Sequence, residues 1–539
     1  MIRLSNKKEA SFVKGAMILA VSSVIVKIIG AVFRIPLTNL VGEYTMGLYS
    51  IAYRYYSIIL TIATTGIPVA ISKMISESRA LGRVSETKKF FRTATGLCVA
   101  IGFVGMLVLV FGSKLLAGAA NDMNAIPSII ALAPAVLFMA VTAAFRGYFQ
   151  GHGNMVPTGT TQIIEALSRL VFGLLLAWII MSGGFDSKYV SAGIITGITA
   201  GTLLTVLVML LFMAKKKKSE DRLSEEDGAS RGSSELLKGL LNIAIPVTIG
   251  SLVMNLTSTI DMFLITGRLA SLGYVEEETT SLFGIYENYA LPIFNLVPSI
   301  IISLNVSVTP VISASYAVRD TKKLHETLLS ALRIVIIFTL PAAVGISILS
   351  KPILSILFSS PEAIGGVPIA APVLSILGIA SFFLCASSLM STSMQALGRA
   401  TIPLVTMAIG AVVKIVANYI LIAIPGVELM GAAIGTVLCY VVITLLNMII
   451  LARLIDFKPK FMQTYIRPLT CCGIMGAVVY FLYEICLPLA GNFIAVAASI
   501  GVGVIVYFVS MIILRGITRE DIIGLPKGEK IASLIFRNK

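Results

Sequence analysis

The chain is 539 residues long, 57% hydrophobic and only 13% charged, against roughly a quarter charged for a soluble globular protein. Its mean hydropathy of +0.94 and its apolar runs of about 20 residues, the length of one bilayer crossing, exclude a cytosolic enzyme, a disordered chain and a disulfide scaffold. The formal net charge of +15, from 42 Lys+Arg against 27 Asp+Glu, is spread thinly between those runs, so it points to membrane sidedness and not to nucleic acid.

Apolar segments bounded by charge or turn residues predict fourteen transmembrane helices, and so an all-α integral membrane protein. In chain order they lie near 11–33, 45–71, 93–119, 126–150, 159–182, 189–214, 240–267, 281–313, 329–349, 368–397, 403–424, 429–452, 468–487 and 491–514. The first run outlasts the roughly 7–15 apolar residues of a secretory signal, so it reads as a retained helix. Span eight carries Pro292, Pro298 and Pro310. A proline removes a backbone hydrogen bond, and such kinks survive in a membrane where neighbours or water satisfy the freed carbonyls.

With the N-terminus inside, the cytoplasmic segments hold 33 Lys+Arg, Arg146 among them, the outer segments hold 5 and the spans 4. That asymmetry puts both termini of a multi-pass protein on the cytoplasmic side. Most of the net charge is therefore a topology signal.

The longest polar segment, 215–238, opens on Lys215-Lys216-Lys217-Lys218 and reads as a cytoplasmic linker whose lysines touch anionic lipid headgroups weakly. It separates an N-terminal six-helix half, 11–214, from a C-terminal six-helix half, 239–454. Helices 13 and 14 (464–515) and a cytoplasmic tail (516–539) follow. The halves repeat local patterns in the same order. Lys14-Gly15 matches Lys238-Gly239, and Ile67-Pro68-Val69 matches Thr309-Pro310-Val311. Gln150-Gly151-His152-Gly153…Pro157 matches Gln395-Ala396-Leu397-Gly398…Pro403, and Arg169 and Lys414 each stand 19 residues after their glutamine. These matches suggest duplication. Six spans per half give both the same orientation, so their pseudo-twofold axis runs along the membrane normal and a substrate belongs between them.

Ionisable residues inside spans are costly and mark function by default. Span one has Lys27 and Arg34, seven apart and so on one helix face. Glu43 leads into span two, where Arg54 sits among Tyr53, Tyr55 and Tyr56. Span five has Glu165 and Arg169, an i, i+4 pair that reads first as an internal salt bridge and second as a ligand contact. Span seven has Asp261, with Arg268 seven residues on; span eight has Glu287 and Asn288; span eleven has Lys414 and Asn418. Spans one and two thus carry cations and no buried acid. That sign suits an anion, above all a phosphate or diphosphate, which arginine grips bidentately. The six cysteines lie mostly in apolar runs without metal-ligand spacing and read as small hydrophobes. With only two histidines, His152 and His325, neither a metal site nor a catalytic triad is expected.

The same residues resemble those of a known family. Lys27-Ile28-Ile29-Gly30…Arg34, Val41-Gly42-Glu43-Tyr44…Gly47-Leu48-Tyr49, Arg54, Thr65-Gly66-Ile67-Pro68 and the repeated Gln-x-x-Gly…Pro motif carry the likeness. They are similar to the multidrug/oligosaccharidyl-lipid/polysaccharide (MOP) exporter superfamily. Within it they resemble the MurJ and stage V sporulation protein B type of polysaccharide exporter, over essentially the whole chain. The resemblance implies a flippase for lipid II, the undecaprenyl-diphosphate-linked peptidoglycan precursor, in the bacterial cytoplasmic membrane. In that family, basic residues of spans one, two and eight hold the diphosphate. Lys27 and Arg34 match the span-one pair, with a lysine first and a spacing one residue longer, and Arg54 matches the span-two cation in loose register. Where the family has an acid followed by arginine in span eight, this chain has Glu287 and Asn288, and Arg268 of span seven is the candidate to substitute for that arginine. Spans 13 and 14 would form a groove for the lipid tail.

The mechanism expected is alternating access. The headgroup enters a cationic cavity from the cytoplasmic leaflet, the prenyl chain stays in lipid, and the headgroup leaves outside. No bond is made, so the protein is not an enzyme, and no cofactor or nucleic acid is expected. Membrane potential, or Na⁺ or H⁺ through Asp261 or Glu287, would supply energy; Glu43, Glu165 and Arg169 are further cavity candidates. A monomer surrounded by membrane lipids is the default. The rivals are a flippase for another undecaprenyl-linked glycan (capsule, teichoic or O-antigen-like), a cation-coupled multidrug exporter, and a membrane glycosyltransferase. The exporter would want a buried carboxylate in spans one or two. The transferase would want catalytic carboxylates beside a large extramembrane loop.

Overall fold

The computed structural model describes residues 2–81, 83–220, 232–455 and 462–516, and among them there is no strand. Lipid offers the backbone no hydrogen-bond partner, so a chain this apolar satisfies its amides within its own helices. Eleven helices among the described residues are long and apolar enough, by length and composition, to cross a membrane. Their outward faces are apolar to match: Phe111 and Leu489 are 81% and 80% exposed. The middle of the predicted linker 215–238 and nearly all of the predicted tail 516–539 lie outside the described residues.

The chain divides into two compact units, Met1–Gly284 and Ile285–Lys539. The first runs through α1 (Ile2–Thr64), α2 (Gly66–Ala80), α3 (Val84–Ala119), α4 (Ile126–Gly151), α5 (Val156–Ser182), α6 (Ser187–Glu220), α7 (Ser233–Ser271) and α8 (Glu276–Ile285). Helix α1, 63 residues long, joins predicted spans one and two and is broken at Gly42, φ 77° and ψ 178°, a conformation only glycine adopts at no steric cost. One core of this unit gathers Ile71 and Met74 of α2, Phe90 of α3, Phe145 and Phe149 of α4 and Leu240 of α7. Ala70, Ala94, Ala140 and Ala144 stand in the same core. Small residues let helix backbones approach, which is how helices gain packing energy in lipid. Leu236, Leu240 and Ala244 of α7 enter this core at every fourth residue, so the helix expected to open the second half packs on α1, α2 and α3.

The second unit begins with a π turn, Tyr286–Ala290, followed by α9 (Leu291–Phe294), α10 (Leu296–Ala317), α11 (Thr321–Ile348), α12 (Ser350–Leu357), α13 (Pro361–Ile364), α14 (Val367–Ala396), α15 (Thr401–Leu421) and α16 (Glu428–Ile455). A second π turn, Met462–Ile466, precedes α17 (Arg467–Ile513). Predicted span eight is therefore not one helix. Breaks fall beside Pro292 and Pro298, while Pro310 stays inside α10. Helix α17, 47 residues long, joins predicted spans 13 and 14 across Gly491, φ 77° and ψ 169°. Its two limbs meet through Cys472, Met475, Tyr507 and Met511. Five of the six cysteines are buried.

The repeated glutamine motif is one helix-ending turn built twice. Gly153 and Gly398 have φ of 75° and 76°. The Gly153 amide donates to the Gln150 carbonyl at 2.8 Å and the Gly398 amide to the Gln395 carbonyl at 3.0 Å. One residue on, the Asn154 amide donates to Phe149 at 3.0 Å and the Arg399 amide to Met394 at 2.9 Å. A left-handed glycine that closes the last carbonyls is the usual way to stop a helix, and Pro157 and Pro403 then stand in the first turn of the next.

Arg333 of α11 is only 8% exposed and donates its Nη2 to the Gly516 carbonyl at 2.9 Å. Arg467 donates Nη1 to the Arg515 carbonyl at 2.7 Å. Together they satisfy carbonyls that leave α17. R333M is expected to destabilise the fold by about 1–3 kcal/mol, the cost of a buried acceptor left unmade, with R333K milder. Melting of the purified protein in lipid nanodiscs checks this; equal melting of R333M and wild type would remove the role.

Candidate functional site

Within the first unit, α1, α4 and α5 enclose a cavity of about 400 Å³. Helix α1 lines it with Ser23, Val26, Ile29, Gly30, Phe33, Leu60 and Thr64, α4 with Met139 and Arg146, and α5 with Gln162, Glu165, Ala166 and Arg169. The polar residues of α5 fall three and four apart and so share one face.

Glu165 is the centre of the polar lining. Its Oε2 accepts from Arg146 Nη2 at 3.1 Å and its Oε1 from Arg169 Nη2 at 3.3 Å. The Arg169 guanidinium also lies 5.7 Å over the Tyr53 ring, a distance at which a cation is attracted to the ring face. Tyr53 in turn stacks on Tyr49 at 5.8 Å. The side chains of Arg146, Glu165 and Arg169 are 13%, 15% and 22% exposed. They are sunk in protein yet line a cavity, and two cations against one carboxylate leave it positive. Removal from bulk water strengthens every such charge interaction.

The expected Glu165–Arg169 salt bridge is therefore present, but shared. Arg146, expected among the cytoplasmic charges, is corrected to a cavity residue. The physical reason is that α4 runs on to Gly151, which keeps Arg146 on the helix face that meets α5. One turn further, Gln150 donates to Thr158 Oγ1 of α5 at 3.4 Å. The signal that could have found it is a pair of polar faces on consecutive helices, Arg146 and Gln150 opposite Thr158, Gln162, Glu165 and Arg169.

The other predicted residues fall as follows. Lys27 is in α1, and its side chain lies outside the described ones. Arg34 and Arg54 are half-buried on α1 and are not among the cavity's lining residues. The Glu43 carbonyl abuts Gly284 of α8. Asp261 is buried on α7, and Arg268 stands half-buried in its last turn. Glu287 and Asn288 belong to the second unit and are buried in its first π turn, a distortion found frequently at functional sites. There the neighbouring Tyr286 hydroxyl meets Thr436 Oγ1 at 3.4 Å. Lys414 and Asn418 are buried on α15, where Asn418 Oδ1 fits against Gly435 of α16. Among the described residues, no group of three or more His, Cys, Asp or Glu side chains could hold a metal ion.

Comparison with known proteins identifies the chain's relatives. The family model described as polysaccharide biosynthesis protein matches residues 12–316, and the MatE model matches residues 287–420. Stage V sporulation protein B of Bacillus subtilis (strain 168) is 24% identical over 529 residues, covering 96% of this chain and 98% of its own length. Lipid II flippase MurJ of the same organism is 23% identical over 483 residues, covering 87% of this chain and 88% of its own. A solved structure of lipid II flippase MurJ in an inward closed conformation superposes with a TM-score of 0.70 at 17% identity, over 93% of this chain and 99% of that one. With the first model matching more than half of its length, and with its long apolar helices marking a multi-pass membrane protein, the chain belongs to the polysaccharide biosynthesis protein family.

Proposed function

We propose that the protein carries undecaprenyl-diphosphate-linked peptidoglycan precursor, lipid II, from the cytoplasmic to the outer leaflet of the bacterial cytoplasmic membrane by alternating access. The observation that carries this reading is the cavity among α1, α4 and α5, whose polar lining holds two arginines and one carboxylate inside otherwise apolar helices. Guanidinium N–H donors meet phosphate oxygens in pairs, and partial burial of the charged side chains strengthens the attraction. Lys27, Arg34 and Arg54 add three cations to α1, which lines the same cavity. The prenyl chain stays in lipid beside α17. Both termini face the cytoplasm, the protein acts as a monomer, and membrane potential contributes roughly 2.3 kcal/mol per charge moved per 100 mV.

The test is a lipid II accessibility assay in cells whose other lipid II flippases are depleted. Wild type is expected to restore lipid II at the outer leaflet. K27Q/R34Q/R54Q, present at wild-type level in the membrane, is expected to lose that activity. Full delivery by the triple variant removes these three α1 cations from the site, and full delivery by R146Q/R169Q, which neutralises the cavity's own arginines, overturns the cationic-cavity reading. Delivery of a different undecaprenyl-linked glycan by wild type, without lipid II, reassigns the substrate. A rise in resistance to cationic dyes with no glycan delivered favours an exporter.

A further inference from the structure

Glu165 stands where a ligand's anion would. Its two carboxylate oxygens bridge arginines of different helices, Arg146 of α4 and Arg169 of α5, at 3.1 and 3.3 Å. A phosphate group would make the same bridge with two of its own oxygens. The bridge is looser than a strong charge-assisted hydrogen bond, which is about 2.7–2.9 Å, and the group as a whole keeps one positive charge in excess. Around it, Arg146 Nε, Arg169 Nε and Gln162 Oε1 are buried without a hydrogen-bond partner. Such leftovers are rare and ask for an explanation. The two cationic donors are well matched by anionic oxygens, and the one acceptor by a hydroxyl or an amide N–H. A phosphate attached to a sugar offers both.

We propose that Arg146 and Arg169 form a binding pair for a sugar-linked phosphate or diphosphate, and that Glu165 is a resident counter-anion which the ligand's phosphate displaces. The proposal rests on the anionic lipid-linked substrate argued above and adds α4 and α5 to the residues that would hold it. Glu165 then sets a threshold. It lowers the excess charge of the empty group from two positive to one and occupies both arginines, so weakly charged anions compete poorly with it, while a diphosphate does not. Gln162, one turn before Ala166 on the lining face of α5, takes a donor from the sugar.

Calorimetric titration of the full chain in lipid nanodiscs tests this, with undecaprenyl diphosphate, inorganic pyrophosphate and neutral undecaprenol as probes. E165Q keeps the side-chain shape and removes the competing charge. It is expected to bind both phosphorylated probes about tenfold more tightly than wild type, about 1.4 kcal/mol, with undecaprenol unchanged. R146Q/R169Q is expected to bind them at least about tenfold more weakly. E165D, which retracts the carboxylate by one methylene, should fall between wild type and E165Q and serves if E165Q does not fold. The proposal is overturned if a folded E165Q or E165D binds no tighter than wild type, or if the arginine variant binds as wild type does. Two outcomes separate it from the reading it rests on. Undecaprenyl diphosphate bound equally by every variant removes the subsite and leaves the flippase reading standing. Pyrophosphate bound with the expected variant pattern, and undecaprenyl diphosphate not at all, keeps the subsite for a free phosphate ligand and removes the lipid-linked substrate.

Discussion

Gly47→Leu is expected to prevent the protein from reaching its folded state. A Cβ at Gly47 of α1 would run into the Thr280 carbonyl of α8, and a Cβ at Gly284 of α8 would run into the Glu43 carbonyl of α1. Glu43 and Gly47 are four apart, and so are Thr280 and Gly284. The two helices therefore cross with one turn of each seated in the glycine notch of the other, the small-residue contact that membrane helices use in place of a hydrophobic driving force. A flexible side chain could step aside from an added methyl, but a helix carbonyl cannot. Gly47→Ala is expected to cost about 1–3 kcal/mol as overpacking, and leucine more than about 4 kcal/mol. Folded yield and melting in nanodiscs measure both. Gly96→Ala on α3, where a Cβ meets open space, should melt as wild type or slightly higher. A G47L protein that folds and melts like wild type would show that the crossing is not as tight as described.

How much of this was legible beforehand depends on whether the information lay within one helix or between two. Apolar run length gave the all-helical, membrane-spanning class, because each span must satisfy its own backbone and be long enough to cross, while fourteen expected spans stand against eleven such helices among the described residues. Pro292 and Pro298 foretold the interruptions of span eight, because proline acts locally; the repeated glutamine motif, read as a sign of duplication, is in the structure two equal turns closed by a left-handed glycine. The Glu165–Arg169 pair was legible for the same reason, its partners being one turn apart. Arg146 was not. Its contact with Glu165 depends on how α4 is rotated against α5, and no spacing within either helix encodes that rotation. Helix α7 was assigned by the polar segment preceding it, yet Leu236, Leu240 and Ala244 pack in the core of the first unit. The stripe could be seen in sequence, but its partner could not. Gly42 lies between predicted spans one and two and Gly491 opens predicted span 14, so both breaks fall where the spans were divided, though each is a single bent glycine within a long helix and not a loop.

Asp122 is the same lesson with a measurable consequence. By its place between spans it is a solvated acid on the outer side, yet it is fully buried. Its Oδ1 accepts from the Asn124 amide at 2.8 Å and its Oδ2 from Thr280 Oγ1 at 2.7 Å, while Asn124 Nδ2 donates to the Tyr44 hydroxyl at 2.9 Å. One carboxylate thus ties the loop after α3 to α8, and through Asn124 to α1. Thr280 is also the residue whose carbonyl faces Gly47, so hydrogen bond and glycine notch secure the same crossing. Asp122→Ala strands a buried hydroxyl and a buried amide, each costing about 1–3 kcal/mol when unmade, and is expected to destabilise by about 3 kcal/mol in total. Asp122→Asn keeps an acceptor for the Asn124 amide, and the Thr280 hydroxyl can turn to accept from the new NH₂, so it should lose less than half as much. Combining Asp122→Ala with Gly47→Ala should give a coupling of roughly 0.5–3 kcal/mol, as for residues that act on one contact. If the two losses instead add to within about 0.5 kcal/mol, the size expected for independent sites, the hydrogen bond and the notch do not hold a common crossing.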